Sequence, residues 1–284
     1  MEATLEFQSH ILKDDFAKRG VLQNMKNQVV VFTQTYANNR QELFRFHNGD
    51  SVDIQFRNSF DKCLYSFHNS PFQYIQEVLQ QNPYFHTSLN NLEVIQYNQM
   101  GYTETFHQTL LKCKQEGYKY MVFFQDDVFS LGTENSVDLE KLITFIQTQD
   151  FQMLHLENYS FAFETDISYA HPPEIVYQDG DFKVYDTNST HFTESGQWAM
   201  DDSPFVASVD FLLELYDSTY MQHQHIWPAE IYMNDKCKAH PIQRLVCSHK
   251  FFRRYNAVGP NSWNRVQELE DLNRCFDVGN VVET

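Results

Sequence analysis

Two adjacent aspartates follow an apolar run near the middle of the chain. Residues 120–124 are all apolar or aromatic, and Gln125, Asp126 and Asp127 come directly after them. A run this apolar is typical of a buried parallel strand. Open α/β sheets bind ligands outside the carboxyl ends of such strands, and carboxylates there suit a divalent cation that carries phosphate oxygens. The sequence therefore indicates a metal-assisted nucleotide site at this point.

The segments before the aspartates alternate between strand and helix patterns. Besides the apolar run, three strands are predicted, at Gln28–Phe32, Lys62–Phe67 and Leu92–Tyr97. Helices are predicted at Ala3–Ala17, Phe72–Gln80 and Thr103–Gly117. A further helix is predicted to follow the polar loop Thr33–Arg40 and to end at about Phe46. This alternation predicts βαβ units and a parallel sheet.

The second half of the chain has a less regular pattern. Strands are predicted at Phe151–Leu156, Phe182–Tyr185 and Leu245–His249, and helices at Leu139–Gln149 and Ala229–Lys238. The segment Pro204–Tyr216 combines a strand-like start with a helix, and the charged segment Asn261–Thr284 is predicted to pack outside as a tail. We find no internal repeat and no Gly-, Ser- or Pro-rich linker in the sequence. One continuous α/β domain is therefore expected.

The net charge of the chain restricts the classes of molecule that it can bind. The 284 residues carry a formal net charge of -17, with 42% hydrophobic and 21% charged residues. This composition is that of a globular protein. The negative charge argues against a nucleic-acid partner and against a polybasic membrane anchor. It is compatible with a nucleotide, because a bound metal reverses the local field.

Cysteine usage and the absence of targeting patterns indicate a cytoplasmic location. The five cysteines are dispersed, without the spacing of a zinc site, which favours free thiols in a reducing compartment. The first 20 residues are mixed polar and charged and do not resemble a signal peptide. No apolar segment approaches the roughly 20 residues of a transmembrane helix.

The order of these features resembles the GT-A fold of nucleotide-sugar-dependent glycosyltransferases, family 2-like. Val29–Phe32 with Thr35, Tyr36, Asn39 and Arg40 resembles the first strand and loop of that family. The segment Asn98–Val128 resembles the path to its DxD motif, here the variant Gln125-Asp126-Asp127. The resemblance is good over about residues 27–130. It implies a Rossmann-like, mostly parallel sheet flanked by helices in a single domain.

The resemblance also implies a division of the chain. Residues 1–26 are expected to be an N-terminal helical extension, and residues 261–284 a C-terminal tail. Residues 27–260 form the expected catalytic domain. Its nucleotide-binding half is 27–130 and its acceptor half is 131–260.

By this resemblance, Asp127 binds Mn²⁺ or Mg²⁺ and Asp126 contacts ribose or sugar hydroxyls. His249 fits a family histidine that follows the last core strand and binds the same metal, and imidazole suits Mn²⁺. Lys250 begins a basic cluster that could clamp the diphosphate. The alternatives are that the two aspartates cap a turn, that His249 is an ordinary histidine, and that the cluster is a solvated turn. Gln125 departs from the acidic residue usual at its position.

In inverting members of the family that the chain resembles, the catalytic base is an Asp or Glu near the start of a helix, and Glu230 is expected to take that role. It follows Trp227 and Pro228 near the start of a predicted helix, where the helix dipole favours the charged form. Trp227 could form an apolar wall for a sugar ring. Asp201 and Asp202 are competing candidates, with a turn or N-cap role as their alternative. Glu230 could instead only stabilise the first turn of its helix.

The nucleotide is expected over the ends of the first two strands. The resemblance places Thr33, Thr35, Tyr36 and Arg40 against it, and Asn69 follows the second strand. Many relatives end that strand with an aspartate that reads uracil. His68-Asn69-Ser70 stands there instead, which argues against uridine and favours GDP- or TDP-sugars. UDP-, GDP- and TDP-sugars all stay open as donors.

The sequence therefore predicts a metal-dependent, inverting glycosyltransferase that acts on a glycan or other hydroxyl acceptor. Two alternatives stay open. A sugar-phosphate nucleotidyltransferase would need a Gly-rich loop after the first strand, and Thr33–Asn39 contains no glycine. A non-catalytic nucleotide- or glycan-binding protein with a degenerate site is kept open by Gln125.

Overall fold

The computed structural model describes much of the region between residues 27 and 254. The described residues are 27–35, 51–68, 89, 91–125, 128–130, 136–156, 174–187, 200, 204–223, 226–240, 242–249 and 251–254. All structural statements below concern these residues. The helices predicted at 3–17 and 72–80, the one ending near residue 46, and the tail 261–284 lie outside them.

The described residues form eleven strands and five α-helices. The strands are β1 (Val29–Thr35), β2 (Lys62–His68), β3 (Leu92–Tyr97), β4 (Tyr120–Gln125), β5 (Val128–Ser130), β6 (Met153–His155), β7 (Glu174–Asp179), β8 (Phe182–Asp186), β9 (Phe205–Ser208), β10 (Arg244–Cys247) and β11 (Phe252–Arg254). The α-helices are α1 (Ser51–Asn58), α2 (Tyr102–Gln115), α3 (Ser136–Thr148), α4 (Val209–Leu215) and α5 (Ile226–Ala239), and Tyr220–Gln222 forms a 3₁₀ turn.

Nine of these strands form one sheet in the order β3-β2-β1-β4-β9-β6-β10-β8-β7. Strands β3, β2, β1 and β4 are parallel to one another. Strand β9 runs antiparallel to both of its neighbours, and β8 and β7 are antiparallel additions beyond the parallel pair β6 and β10. The predicted α/β fold is confirmed. The sheet is mixed, with its parallel strands concentrated in the first half.

The described helices cover both faces of the sheet. Side chains alternate along a strand, so Val29 and Val31 of β1 pack with α1 and α3, while Val30 and Phe32 pack with α2 and α4. Strand β4 divides its side chains in the same way. All six residues of β4 are buried. Burial on both faces explains why this strand is continuously apolar instead of alternating.

Several elements were not predicted from the sequence. Helix α1 was missed because its apolar residues Val52, Ile54 and Phe56 alternate along the chain, as they would in a strand. Strands β5 and β11 have three residues each and pair only with each other. Strand β7 was missed because it is largely exposed and shows no clear alternation of burial.

Helix α2 ends as predicted at a glycine. Gly117 has a φ of 85°, which favours glycine. The backbone N–H of Tyr118 donates to the Cys113 carbonyl at 3.0 Å, and that of Gly117 donates to the Lys114 carbonyl at 3.2 Å. These bonds satisfy carbonyls that the last helical turn would otherwise leave unpaired.

Four cysteines lie among the described residues, and each is a buried free thiol. They are Cys63, Cys113, Cys237 and Cys247. Burial raises the pKa of Cys63 to about 11 and the pKa of both Cys113 and Cys237 to about 12. These thiols therefore stay protonated and unreactive at neutral pH. None of the described helices has the length and apolar character needed to cross a bilayer.

A buried arginine joins α1 to the parallel strands. Arg57 is 5% exposed, and its Nε donates to Asp53 Oδ2 at 2.8 Å. Its Nη1 donates to Thr33 Oγ1 at 2.8 Å, and the guanidinium lies 4.8 Å from the ring centroid of Phe124. Burial lowers the pKa of Arg57, but the Asp53 carboxylate together with Tyr65 and Cys63 outweighs that effect, and the net pKa is raised. The charge is thus compensated inside the protein.

We expect Asp53→Ala to lower the free energy of unfolding by about 3 kcal/mol, because it leaves the buried Arg57 charge without its carboxylate. Urea denaturation measures this change. Asp150→Ala is the matched control, because it removes an exposed ion pair with Lys119 and should cost less than about 1 kcal/mol. Equal losses of unfolding free energy in the two variants would contradict the role of Asp53 in compensating the buried charge of Arg57.

Candidate functional site

The candidate site lies at the carboxyl ends of β1 and β4. The connection from β1 to β2 contains α1 on one face of the sheet, and the connection from β3 to β4 contains α2 on the other. The connection that follows β1 thus packs on one face of the sheet, and the connection that precedes β4 packs on the opposite face. Ligands of open α/β sheets bind at such a switch point, in the crevice outside the strand ends.

The two strands end at the same level. In the register of the sheet, Gln34 of β1 lies opposite Gln125 of β4. Asp126 and Asp127 follow Gln125 in the chain and precede β5. The aspartates themselves lie outside the described residues. Their position in the chain, however, is fixed between two described strands at the switch point.

Gln125 contacts helix α2. Its amide Nε2 donates to the Tyr102 hydroxyl at 3.4 Å, and Gln34 Nε2 donates to the Tyr102 carbonyl at 3.0 Å. Both glutamines are buried, at 7% and 4% exposed. A carboxylate at position 125 could accept a hydrogen bond from the Tyr102 hydroxyl but could not donate one to it. The amide of Gln125 is thus engaged with α2 at the end of β4.

The basic segment near the end of the described chain returns to the aspartates. Strands β5 and β11 pair antiparallel, with Arg254 opposite Val128 and Arg253 opposite Phe129. Val128 directly follows Asp127. The fold thus brings the backbone of two predicted components of the site, widely separated in sequence, next to each other.

His249 makes contacts through both ring nitrogens. Its Nδ1 lies 2.9 Å from Ser248 Oγ, and its Nε2 lies 3.3 Å from Asp138 Oδ2. Asp138 is in the first turn of α3, and Lys141 Nζ lies 3.4 Å from its other oxygen. A metal at His249 would have to replace or share the contact that Nε2 makes with Asp138. His249 as a metal ligand stays a prediction.

Thr33 and Thr35 are at the end of β1. Thr33 is 2% exposed, its hydroxyl accepts the Arg57 bond described above, and its backbone is in register with Tyr65 and Phe124. The Thr35 backbone is in register with Phe67 of β2. The structure therefore gives the Thr33 side chain a role inside the sheet, and nucleotide contacts by either threonine stay predictions.

Glu230 lies near the same edge. It is half-buried in the first part of α5, which begins at Ile226, three residues earlier than predicted. Pro228 fits within this first turn because its missing N–H would have no helical partner there. Burial raises the pKa of the Tyr220 hydroxyl well above its usual value, and the charges of Tyr216, Tyr102 and Glu230 contribute. Helix α5 packs against the 3₁₀ turn that contains Tyr220 and against α2, whose first residue is Tyr102.

The start of α2 and the 3₁₀ turn form a polar layer beside this edge. Thr103 Oγ1 donates to the His223 carbonyl at 2.8 Å. Among the described residues, the Tyr220 hydroxyl and Gln34 Oε1 are buried polar atoms without a hydrogen-bond partner. The sequence did not point to Tyr102, Asp138 or Tyr220, because isolated Tyr and Asp residues carry no motif. Only the packing of α2, α3 and the 3₁₀ turn against the sheet edge places them.

Asp217 holds α5 against the 3₁₀ turn. Its Oδ1 accepts the Thr219 and Tyr220 backbone N–H groups at 2.9 and 3.0 Å. Its Oδ2 accepts from the Tyr232 hydroxyl at 2.8 Å and from Lys236 Nζ at 2.7 Å. Burial acts to raise its pKa, but these donors outweigh it and lower the pKa to about 2. Asp217 therefore positions the helix that carries Glu230.

Most of the predicted site residues lie outside the described part of the chain. They are Tyr36, Arg40, Asn69, Asp126, Asp127, Asp201, Asp202 and Lys250. Within the described part, no cluster of three or more His, Cys, Asp and Glu side chains could hold a metal ion. Their predicted roles, like that of the metal, stay predictions.

Comparisons with known proteins complete the description. No protein-family model matches the chain, and no curated protein matches it. Among solved structures, the chain is similar to the crystal structure of TarS from S. aureus, with 13% sequence identity and a TM-score of 0.47. The match covers 90% of this chain and 40% of TarS, so the chain spans less than half the length of that protein.

We expect Asp217 to make stability depend on pH in acid. A carboxylate with a lowered pKa contributes stability that is present above its unfolded pKa of about 4 and is lost as the pH falls towards 2. The free energy of unfolding should therefore fall more steeply between pH 4.5 and 2 in the wild type than in Asp217→Asn. Urea denaturation across this range measures the slopes. Asp179→Asn changes the exposed last residue of β7 and should keep the wild-type slope. The same slope in all three proteins would exclude this role of Asp217.

Proposed function

We propose that the protein is a glycosyltransferase that moves a sugar from a nucleotide-sugar donor to a hydroxyl acceptor with the help of a divalent cation. The observation that carries this proposal is the position of the aspartate pair. Asp126 and Asp127 follow the central strand β4 where the chain changes direction across the sheet. This is the location at which α/β sheets bind phosphate-containing ligands.

The chemistry of the leaving group explains the need for carboxylates there. Breaking the bond between the sugar and the diphosphate increases the negative charge on the nucleotide, and a bound Mn²⁺ or Mg²⁺ would neutralise it. In the proposed site Asp127 and His249 hold the cation and Asp126 binds ribose or sugar hydroxyls. His249 would exchange or share its contact with Asp138 when the cation binds.

The segment after His249 supplies positive charge. Lys250, Arg253 and Arg254 are close in sequence in a chain with a net charge of -17. The pairing of β11 with β5 supports a position beside the aspartates, because Arg254 is in register with Val128. We assign this segment to the diphosphate of the donor, since guanidinium groups bind phosphate oxygens with two parallel hydrogen bonds.

Glu230 is the proposed base for an inverting transfer. It is half-buried near the beginning of α5, where the helix dipole favours its charged form. The packing of α5 against the 3₁₀ turn and α2 supports a location near the strand ends. Asp201 and Asp202 are the alternative bases.

A second candidate function is nucleotide binding without transfer. Gln125 favours it, because an uncharged amide stands where an acidic residue would supply a charged metal ligand. The two functions share donor binding and differ in turnover, so the two experiments below distinguish them.

We expect Mn²⁺ together with one of UDP, GDP or TDP to raise the melting temperature of the wild type by several degrees, because a ligand that binds the folded state stabilises it. Asp127→Asn should lose this shift and keep the melting temperature of the ligand-free protein. Asp150→Asn, an exposed carboxylate at the opposite end of β4 from the aspartates, should keep the shift. An undiminished shift in Asp127→Asn rules out the metal role of that residue.

We expect Glu230→Gln to keep the nucleotide-dependent shift and to lose turnover by about 100-fold or more, the usual contribution of a general base. The measurement is the release of nucleoside diphosphate from the matching sugar donor in the presence of mixed glycan acceptors. Turnover at the wild-type rate in this variant would exclude Glu230 as the base and favour Asp201 or Asp202. No turnover in the wild type, together with a nucleotide shift, would favour the binding function.

A further inference from the structure

An exposed tryptophan lies one helical turn from the proposed base. Trp227 is 67% exposed, and Ile231, four residues further along α5, is 41% exposed. This spacing places the two side chains on the same side of the helix. The opposite side of α5 carries Ala229, Met233 and Cys237, which are buried against the core. Packing of α5 therefore does not require Trp227.

Glu230 borders this apolar surface. It is three residues from Trp227 and adjacent to Ile231 in the chain, so the three side chains emerge from the same two turns of α5. Helix α5 packs against the 3₁₀ turn and α2, and Thr103 at the start of α2 donates a hydrogen bond to the His223 carbonyl after the 3₁₀ turn at 2.8 Å. A molecule that rests on Trp227 and extends towards Glu230 would thus approach the carboxyl edge of the sheet.

We propose that Trp227 and Ile231 form the acceptor platform and that the acceptor is a carbohydrate with a pyranose ring packed on the indole. This inference rests on the proposed function. A pyranose has a face of C–H groups and a rim of hydroxyls. The C–H face suits a large exposed aromatic ring, and the rim presents hydroxyls to Glu230.

Charge determines which carbohydrates fit. Glu230 lies beside the platform, and the chain has a net charge of -17. The basic residues of α5 are in its last turn, and Lys236 there is already paired with Asp217. The platform therefore selects neutral sugars and disfavours sulfated, sialylated or uronic acid residues. The same charge disfavours an anionic membrane surface as its partner.

A glycan array tests this inference directly. Labelled wild-type protein, with and without Mn²⁺ and the nucleotide that raises its melting temperature, should bind a set of neutral glycans and no anionic ones. For the best glycan, a fluorescence titration should show about tenfold or greater weakening in Trp227→Ala, as for aromatic residues that anchor an interface. Trp227→Phe should keep most of the affinity. Ile175→Ala, an exposed apolar residue on the outermost strand β7, should bind as the wild type does.

The outcomes separate this inference from the proposed function. One contrary outcome is a nucleotide-dependent rise in melting temperature without binding to any glycan. Another is the same rise with glycan binding that is unchanged in Trp227→Ala. Either outcome contradicts the acceptor platform and still supports the proposed donor site. Glycan binding that requires Trp227, without a nucleotide shift, supports the platform and overturns the transferase. Because Trp227 is exposed, its variants should keep the wild-type melting temperature. Trp227-dependent co-sedimentation with phosphatidylserine-containing vesicles, in place of glycan binding, would also overturn the inference.

Discussion

The parallel pairing of β1 with β4 is the interaction on which the rest of the structure depends. It sets Gln34 opposite Gln125, and it joins two strands whose connecting helices pack on opposite faces of the sheet. Such a change of side is where open α/β sheets bind ligands, outside the carboxyl ends of the strands. The aspartate pair follows β4 directly in the chain. The buried charge of Arg57 and the amide of Gln125 each stabilise one face of the same pair of strands.

Contacts from the second half of the chain complete the edge. Strand β11 returns the basic segment to β5, and Asp217 attaches α5 to the 3₁₀ turn through four hydrogen bonds. These contacts join residues that are distant in sequence, and they orient Glu230 and Trp227 together. The proposed donor and acceptor sites thus depend on different parts of the fold, the parallel half and α5, and the start of α2 joins them through its packing on the 3₁₀ turn.

Elements with a strong local signal were predictable. Strand β3 was predicted with its observed bounds, and α2 ends at the predicted glycine, because a left-handed residue there is specified locally. Helix α1 was not predictable, since its alternating apolar residues imitate a strand and its helical form is stabilised by Phe56 in the core and by the buried pair of Arg57 with Asp53. In the candidate site, Glu230 lies near a helix start as the sequence predicts, and its role as a base stays a prediction. It missed Tyr102 and Tyr220, whose importance comes only from their neighbours.

The sequence by itself determined the α/β class and the position of the aspartates after a fully buried strand, because continuous apolar character and helix–strand alternation are local properties of the chain. Tertiary structure alone decided the direction of β9, the pairing of β11 with β5 and the use of Gln125 as a donor to α2. These features arise from contacts between segments far apart in the chain. Their free energies depend on which partner the fold supplies, and no local pattern of residues encodes that partner.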